Sequence, residues 1–138
     1  MQIRQFEADD QQAVIALWQR CNLTRAWNDP QKDVARKLGV QRELFLVGVE
    51  EGAIVAAVMA GFDGHRGSVN YLAVDPQFRR RGFGRALMLR VEQLLAERGC
   101  PKVNLMVRSS NEDVVAFYRR LGYAPDDVVA LGKRLIPD

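Results

Sequence analysis

The sequence predicts a mixed α/β fold, an antiparallel meander of strands with helices on both faces. Two observations carry this. Between Leu44 and Val74 lie three apolar runs separated by turn formers, without helical spacing. Before and after them, apolar residues recur three and four apart, the mark of amphipathic helices. The length, 138 residues, suits one core, so residues 1–138 read as a single domain.

Ile3 to Phe6 reads as a first strand. Asp9 or Asp10 then caps a helix whose face is Val14, Leu17, Trp18 and Cys21. Asn22 to Asn28 breaks the pattern. Asp29 as N-cap and Pro30 at the first helical position open a second helix, which Gly39 stops. Leu44–Val49, Ala53–Phe62 and Ser68–Val74 form the meander. Glu51-Gly52 and the stretch from Asp63 to Gly67 are its turns. Gly82 to Arg98 is the longest helix, with Phe83, Leu87, Val91, Leu94 and Leu95 inward and Gly99 as its stop. Lys102 to Val107 alternates as a strand. Ser110 with Asp113 has capping-box spacing before a helix with Val114, Phe117, Tyr118 and Leu121 on one face. A last strand pair is expected around Tyr123 and Val128 to Ile136.

Composition excludes several classes. With 48% hydrophobic and 27% charged residues the chain is an ordinary globular one, neither disordered nor fibrous. No apolar run reaches the roughly 18–20 residues of a membrane span, and the first residues lack the apolar core of a signal peptide. Cys21 and Cys100 make no disulfide framework and read as packed thiols. A cytoplasmic protein with no membrane partner is the expectation. The net charge of +3 has an address: Arg79, Arg80, Arg81, Arg85 and Arg90 fall within twelve residues that contain no acid. The remainder holds 15 basic and 17 acidic side chains, a balance of −2, which argues against a nucleic-acid surface.

That basic segment carries the chemistry. From Tyr71 to Leu87 a strand runs into an arginine- and glycine-rich loop that opens a helix. A helix start offers unpaired N–H groups and partial positive charge, and glycines admit a close approach of phosphate oxygens. It is neither the dinucleotide fingerprint, whose third glycine is missing, nor a P-loop, which needs Gly-Lys-Ser/Thr. A solvated basic face is the plain alternative. A second segment follows one helix and one strand later, from Arg108 to Tyr123, with Asn111, Ala116 and Tyr118 ahead of Leu121-Gly122-Tyr123.

On these two segments the chain resembles the GNAT superfamily of acyl-CoA-dependent N-acetyltransferases. Arg79-x-x-Gly82-x-Gly84 is similar to the family's pyrophosphate signature, and Asn111, Ala116 and Tyr118 to the helix that follows it. Trp27-Asn28-Asp29-Pro30, the Asp63–Gly67 turn and the Leu-Gly-Lys-Arg-Leu ending look most like small bacterial members of the YpeA type. The resemblance implies a GNAT-like fold, in which two central strands splay at a bulge to admit the pantetheine arm. It implies acetyl-CoA as co-substrate, no metal, and direct attack of a primary amine on the thioester in a ternary complex. The backbone of Leu72 and Val74 would pair with the arm, and the Leu72 N–H would polarise the thioester carbonyl. Arg79, Arg80, Arg81, Gly82, Phe83, Gly84 and Arg85 would hold the pyrophosphate, and Asn111 the arm. Tyr118 would protonate the departing thiolate, where packing alone would make it a core tyrosine. Trp27, Asn28 and Asp29 would line the acceptor side, though Asp29 also reads as a helix cap and Trp27 as core. His65 is either the base or a surface turn residue. Several relatives carry a Glu on the third meander strand, and this chain has none there. A CoA-binding module without turnover therefore stays open beside the enzyme. The acceptor is a small-molecule or protein amine, and the chain a monomer or homodimer.

Overall fold

The computed structural model describes all 138 residues. Contacts divide the chain into two compact units, Met1–Asn104 with Asp138, and Leu105–Pro137.

The first unit is built on a five-stranded mixed sheet in the order β1-β2-β3-β4-β5. The strands are β1 (Gln2–Gln5), β2 (Phe45–Glu50), β3 (Ala53–Phe62), β4 (Gly67–Val74) and β5 (Val103–Asn104). The first four run antiparallel, and β5 joins β4 in parallel. Glu51 and Gly52 both have positive φ (52° and 79°), the geometry that matches a two-residue hairpin to strand twist. The wider β3–β4 turn is held by Asp63, whose Oδ1 accepts from the His65 and Arg66 N–H groups at 2.7 Å.

Helices α1 (Gln11–Arg20) and α2 (Pro30–Leu38) precede the meander, and α3 (Phe83–Glu97) follows it. The strand period of two sorts the core. Phe45, Val47, Ala57, Met59 and Ala73 face one side and pack with Val14, Leu17 and Trp18 of α1 and Val34 of α2. Leu46, Val58 and Ala60 point the other way. On that face α3 buries Leu87, Met88, Val91 and Leu95. Gly67 lies directly against it: a Cβ there would stand 2.9 Å from Cys100 Sγ and 3.1 Å from Leu95 Cδ1. A row of rings crosses the α1 side. Phe6 stacks on Phe45 (4.2 Å between centroids), Phe45 lies 6.4 Å from Trp18, and Trp18 stacks on Tyr71 at 3.9 Å.

The second unit holds α4 (Glu112–Arg120) and otherwise lacks helix and strand. Its Tyr118 ring meets Phe117 and Tyr123 edge to face, at 5.1 and 5.5 Å.

Four expectations are corrected. Asp10 stands at the N-cap position of α1 but does not cap it. Its carboxylate takes the Arg4 guanidinium at 2.7 and 3.0 Å and the Glu7 N–H at 2.8 Å. Asn111, not Ser110, caps α4, accepting from the Val114 N–H. The strand expected over Lys102–Val107 is reduced to Val103–Asn104, because β4 offers it a ladder only at Gly67 and Ser68. No strand forms over Val128–Ile136, where Val128, Val129, Leu131, Leu135 and Ile136 are exposed. Alternation is a pattern, and a strand exists only where a ladder partner accepts it.

Candidate active site

β4 is interrupted where the resemblance implied a bulge. Its register with β3 pairs Ala57 with Ala73 but Met59 with Asn70, so Tyr71 and Leu72 together oppose Val58. Tyr71 takes a left-handed backbone at φ 54°. For a bulky L-residue that conformation costs about 1–2 kcal/mol. Beyond the bulge, the Asp75 N–H donates to the Val55 carbonyl at 2.8 Å. Ala73 therefore faces β3 as well, and alternation turns the N–H and C=O groups of Leu72 and Val74 to the opposite side. On that side β4 has no strand partner after Ser68. Because β5 ends at Asn104, β4 is left with an edge of backbone polar groups that no strand pairs. The thiol of Cys21, at the end of α1, meets this edge and donates to the Val74 carbonyl at 3.3 Å. Burial pushes that thiol's pKa up, against the pull of Arg79, so it stays protonated and packs.

The chain continues from this edge into the basic loop. Asp75 caps a single 3-10 turn, Pro76–Phe78, through the Gln77 N–H. Arg80 and Gly82 then take left-handed backbone (φ 66° and 79°) on either side of Arg81, the kind of alternation that gathers N–H groups into an anion nest. Gly82 is the N-cap of α3, and no side chain caps the helix. The ladder starts with the Ala86 N–H on the Gly82 carbonyl, so the amides before it have no helical partner. No acid lies in the first turn. Arg79, Arg80, Arg81 and Arg85 are exposed, and the Arg81 guanidinium sits 4.9 Å over the Phe78 ring. A Cβ at Gly82 would meet nothing within 4 Å, so the space above the turn is open. This donor set suits a pyrophosphate group: uncapped amides, helix-end charge and four guanidinium groups within seven residues.

On the α1 face, the bulge meets the loop between α1 and α2. The Tyr71 hydroxyl donates to Asp33 Oδ2 at 2.6 Å. Asn28 Nδ2 donates to the same oxygen at 2.6 Å and lies 3.3 Å from the Tyr71 oxygen. Arg36 bridges Asp33 Oδ1 (3.2 Å) and Asp138 (2.6 Å). Burial and the Asp33 carboxylate push the Tyr71 phenol up to about 12, so it remains a donor. Asp29 is the α2 cap, accepting from the Gln31 N–H at 2.9 Å, and its own N–H donates to Asp138. Trp27 is 59% exposed and not a core residue.

Leu72, Val74 and the Arg79–Arg85 turn thus lie on one continuous run of chain, with Asn28 reaching the bulge through Tyr71. His65 is not brought there. It precedes the start of β4, and the five residue steps from Gly67 to Leu72 alone span roughly 17 Å. In the second unit, Asn111 spends its carbonyl oxygen on the cap of α4, and Tyr118 is buried, its phenol pushed up to about 12 by that burial. Sequence reasoning missed Tyr71, Asp33 and Trp18. A left-handed tyrosine leaves no mark in a strand-like run, and Asp33 reads as an ordinary first-turn helix acid.

A mixed sheet whose bulged strand leads into an uncapped, arginine-flanked helix fits the acyltransferase class. The acetyltransferase (GNAT) family model matches residues 6–123. An acetyltransferase of Yersinia enterocolitica is 54% identical over 138 residues, covering 100% of this chain and 98% of that protein. Among solved structures, Ard1 from Thermoplasma volcanium is 28% identical with a TM-score of 0.81, covering 89% of this chain and 82% of that one. The ribosomal-protein-S18-alanine N-acetyltransferase from Escherichia coli is also 28% identical, with a TM-score of 0.73 and 88% and 76% coverage. The chain belongs to the acetyltransferase (GNAT) family and is a transferase of acyl groups.

Proposed function

We propose that the protein transfers an acetyl group from acetyl-CoA to a primary amine by direct attack in a ternary complex. The observation that carries this is the edge of β4 without a strand partner, from which the chain runs on past Leu72 and Val74 to the uncapped start of α3. When bound, acetyl-CoA supplies an activated thioester. The amides from Arg80 to Arg85 and the guanidinium groups of Arg79, Arg80, Arg81 and Arg85 bind the pyrophosphate. Leu72 and Val74 pair with the amide-bearing arm as a strand would. The Leu72 N–H, fixed by the fold, donates to the thioester oxygen as it gains charge. Asn111 donates its amide to the arm. Tyr118, fully protonated at neutral pH, donates toward the departing sulfur. Trp27 and Asn28 border the acceptor, and Asp29 shapes that border as the α2 cap.

His65 lies at the far end of β4 and takes no part in this scheme. No acid stands on β4 ahead of Asp75, so the amine either arrives neutral or releases its proton through water. The acceptor class is tested first on a peptide beginning with alanine, the group named for the 28%-identical Escherichia coli enzyme. Free amino acids, polyamines and aminoglycosides complete the panel. Acetyl-CoA at about 100 times its Kd is expected to stabilise the protein by about 2.7 kcal/mol, read as a rise in Tm, and one amine class to accelerate CoA release. No shift and no calorimetric heat overturns the reading. Binding without acetylation of any amine leaves a CoA-binding module.

A further inference from the structure

The bulge residue is strained and aromatic where glycine would be free, and something must hold it. Tyr71 carries φ 54° in the middle of a strand. Two close contacts, with a longer hydrogen bond from Asn28 Nδ2 to the hydroxyl at 3.3 Å, fix its side chain. Its ring stacks on the fully buried Trp18 at 3.9 Å and 15° between planes. Its hydroxyl donates to Asp33 Oδ2 at 2.6 Å. Asp33 is itself pinned by Asn28 Nδ2 on the same oxygen and by Arg36 on the other. The next residue along the chain is Leu72, whose N–H faces the unpaired edge.

We propose that Asp33 is a positioning residue: by holding the Tyr71 hydroxyl it keeps the bulge left-handed and so aims the Leu72 N–H at the thioester oxygen. The inference rests on the acetyl-CoA reading above. Asp33 touches no reacting atom, and it acts through Tyr71. Without the hydroxyl–carboxylate bond, only the ring stack and the longer 3.3 Å bond from Asn28 Nδ2, itself no longer anchored on Asp33, oppose the return of Tyr71 to an ordinary extended backbone. That return rotates the Tyr71–Leu72 peptide, which carries the Leu72 N–H. A glycine at position 71 would need no such restraint, because it populates positive φ freely.

The test uses acetyl-CoA carrying a carbon-13 carbonyl, so no acceptor is required. In the unaltered protein the bound thioester C=O stretch is expected at lower frequency than in solution, the signature of a polarised carbonyl. Asp33→Ala is expected to abolish that shift while the Kd for acetyl-CoA, measured by calorimetry, stays within about twofold, since the pyrophosphate loop is untouched. Tyr71→Phe, which keeps the ring and its stack, is expected to lose the shift too and carries the test should Asp33→Ala fail to fold. Tyr71→Gly is expected to keep the shift, and adding Asp33→Ala to it to change nothing. That non-additivity separates positioning from a general role in holding α2. A full shift in both Asp33→Ala and Tyr71→Phe overturns the inference. So does an equal loss when Asp33→Ala is made in the unaltered protein and in the Tyr71→Gly variant. Absence of acetyl-CoA binding in the unaltered protein overturns the reading beneath it, and calorimetry reports that separately.

Discussion

Tyr118 illustrates how burial sets a side chain's chemistry. Desolvation disfavours its phenolate and pushes the pKa up to about 12. The group is protonated throughout the neutral range, so loss of rate at alkaline pH is not its titration. Tyr118→Phe keeps the packing against Phe117 and Tyr123. It is expected to lower kcat about 100-fold with little change in acetyl-CoA affinity, measured by CoA release and calorimetry. Asp10 shows the opposite case. The Arg4 guanidinium and the Glu7 N–H hold its carboxyl below the ordinary 3.8. Its ionised form is therefore favoured by folding. That stability is present above the unfolded pKa and is lost as pH falls through the folded value. Asp10→Asn is expected to cost about 1 kcal/mol at neutral pH, because Arg4 is a third exposed and solvent screens the pair. The difference from the unaltered protein should close in urea titrations as pH falls through the folded pKa of Asp10.

Among the elements, the junction of β4, β5 and α3 has the least slack. Gly67 pairs with Val103, its N–H donates to the Lys102 carbonyl at 2.8 Å, and its α-carbon faces Leu95 and Cys100. Gly67→Ala places a methyl against three neighbours at 2.9–3.3 Å. A loss of about 1–3 kcal/mol in denaturant melts is expected, with the β4–β5 pairing disturbed. Much of this level was legible in the sequence. Asp29, Pro30 and Gly39 bound α2 as their local chemistry requires, and Gly82 and Gly99 bracket α3. The caps that failed did so for a local reason: a carboxylate takes the stronger available donor. Asp10 found a guanidinium, and Asn111, one residue beyond Ser110, reached the Val114 N–H first. The strands that failed lacked a ladder. Leu105 to Val107 and Val128 to Ile136 have strand-like composition, yet pairing is a relation between segments that neither segment encodes alone.

Across the whole molecule the arginine run decides the character of the charge. Five arginines within residues 79–90 leave the rest of the chain at −2. The affinity for acetyl-CoA is accordingly expected to fall as salt rises from about 50 to 500 mM, by screening of exposed guanidinium groups. An unchanged Kd in calorimetry over that range would place the binding energy in the backbone amides alone. By itself the sequence determined the class of fold, the places of the helices, the arginine- and glycine-rich helix start and the family, because these rest on periodicity and motifs contained in short stretches of chain. Only the tertiary structure decided where β4 breaks from its neighbours, that Tyr71 is left-handed, that Asp33 holds it, and that His65 stands apart. Each of those depends on residues tens of positions distant meeting in space. No local pattern records such a meeting, because the free energy that stabilises it belongs to the contact and not to either segment.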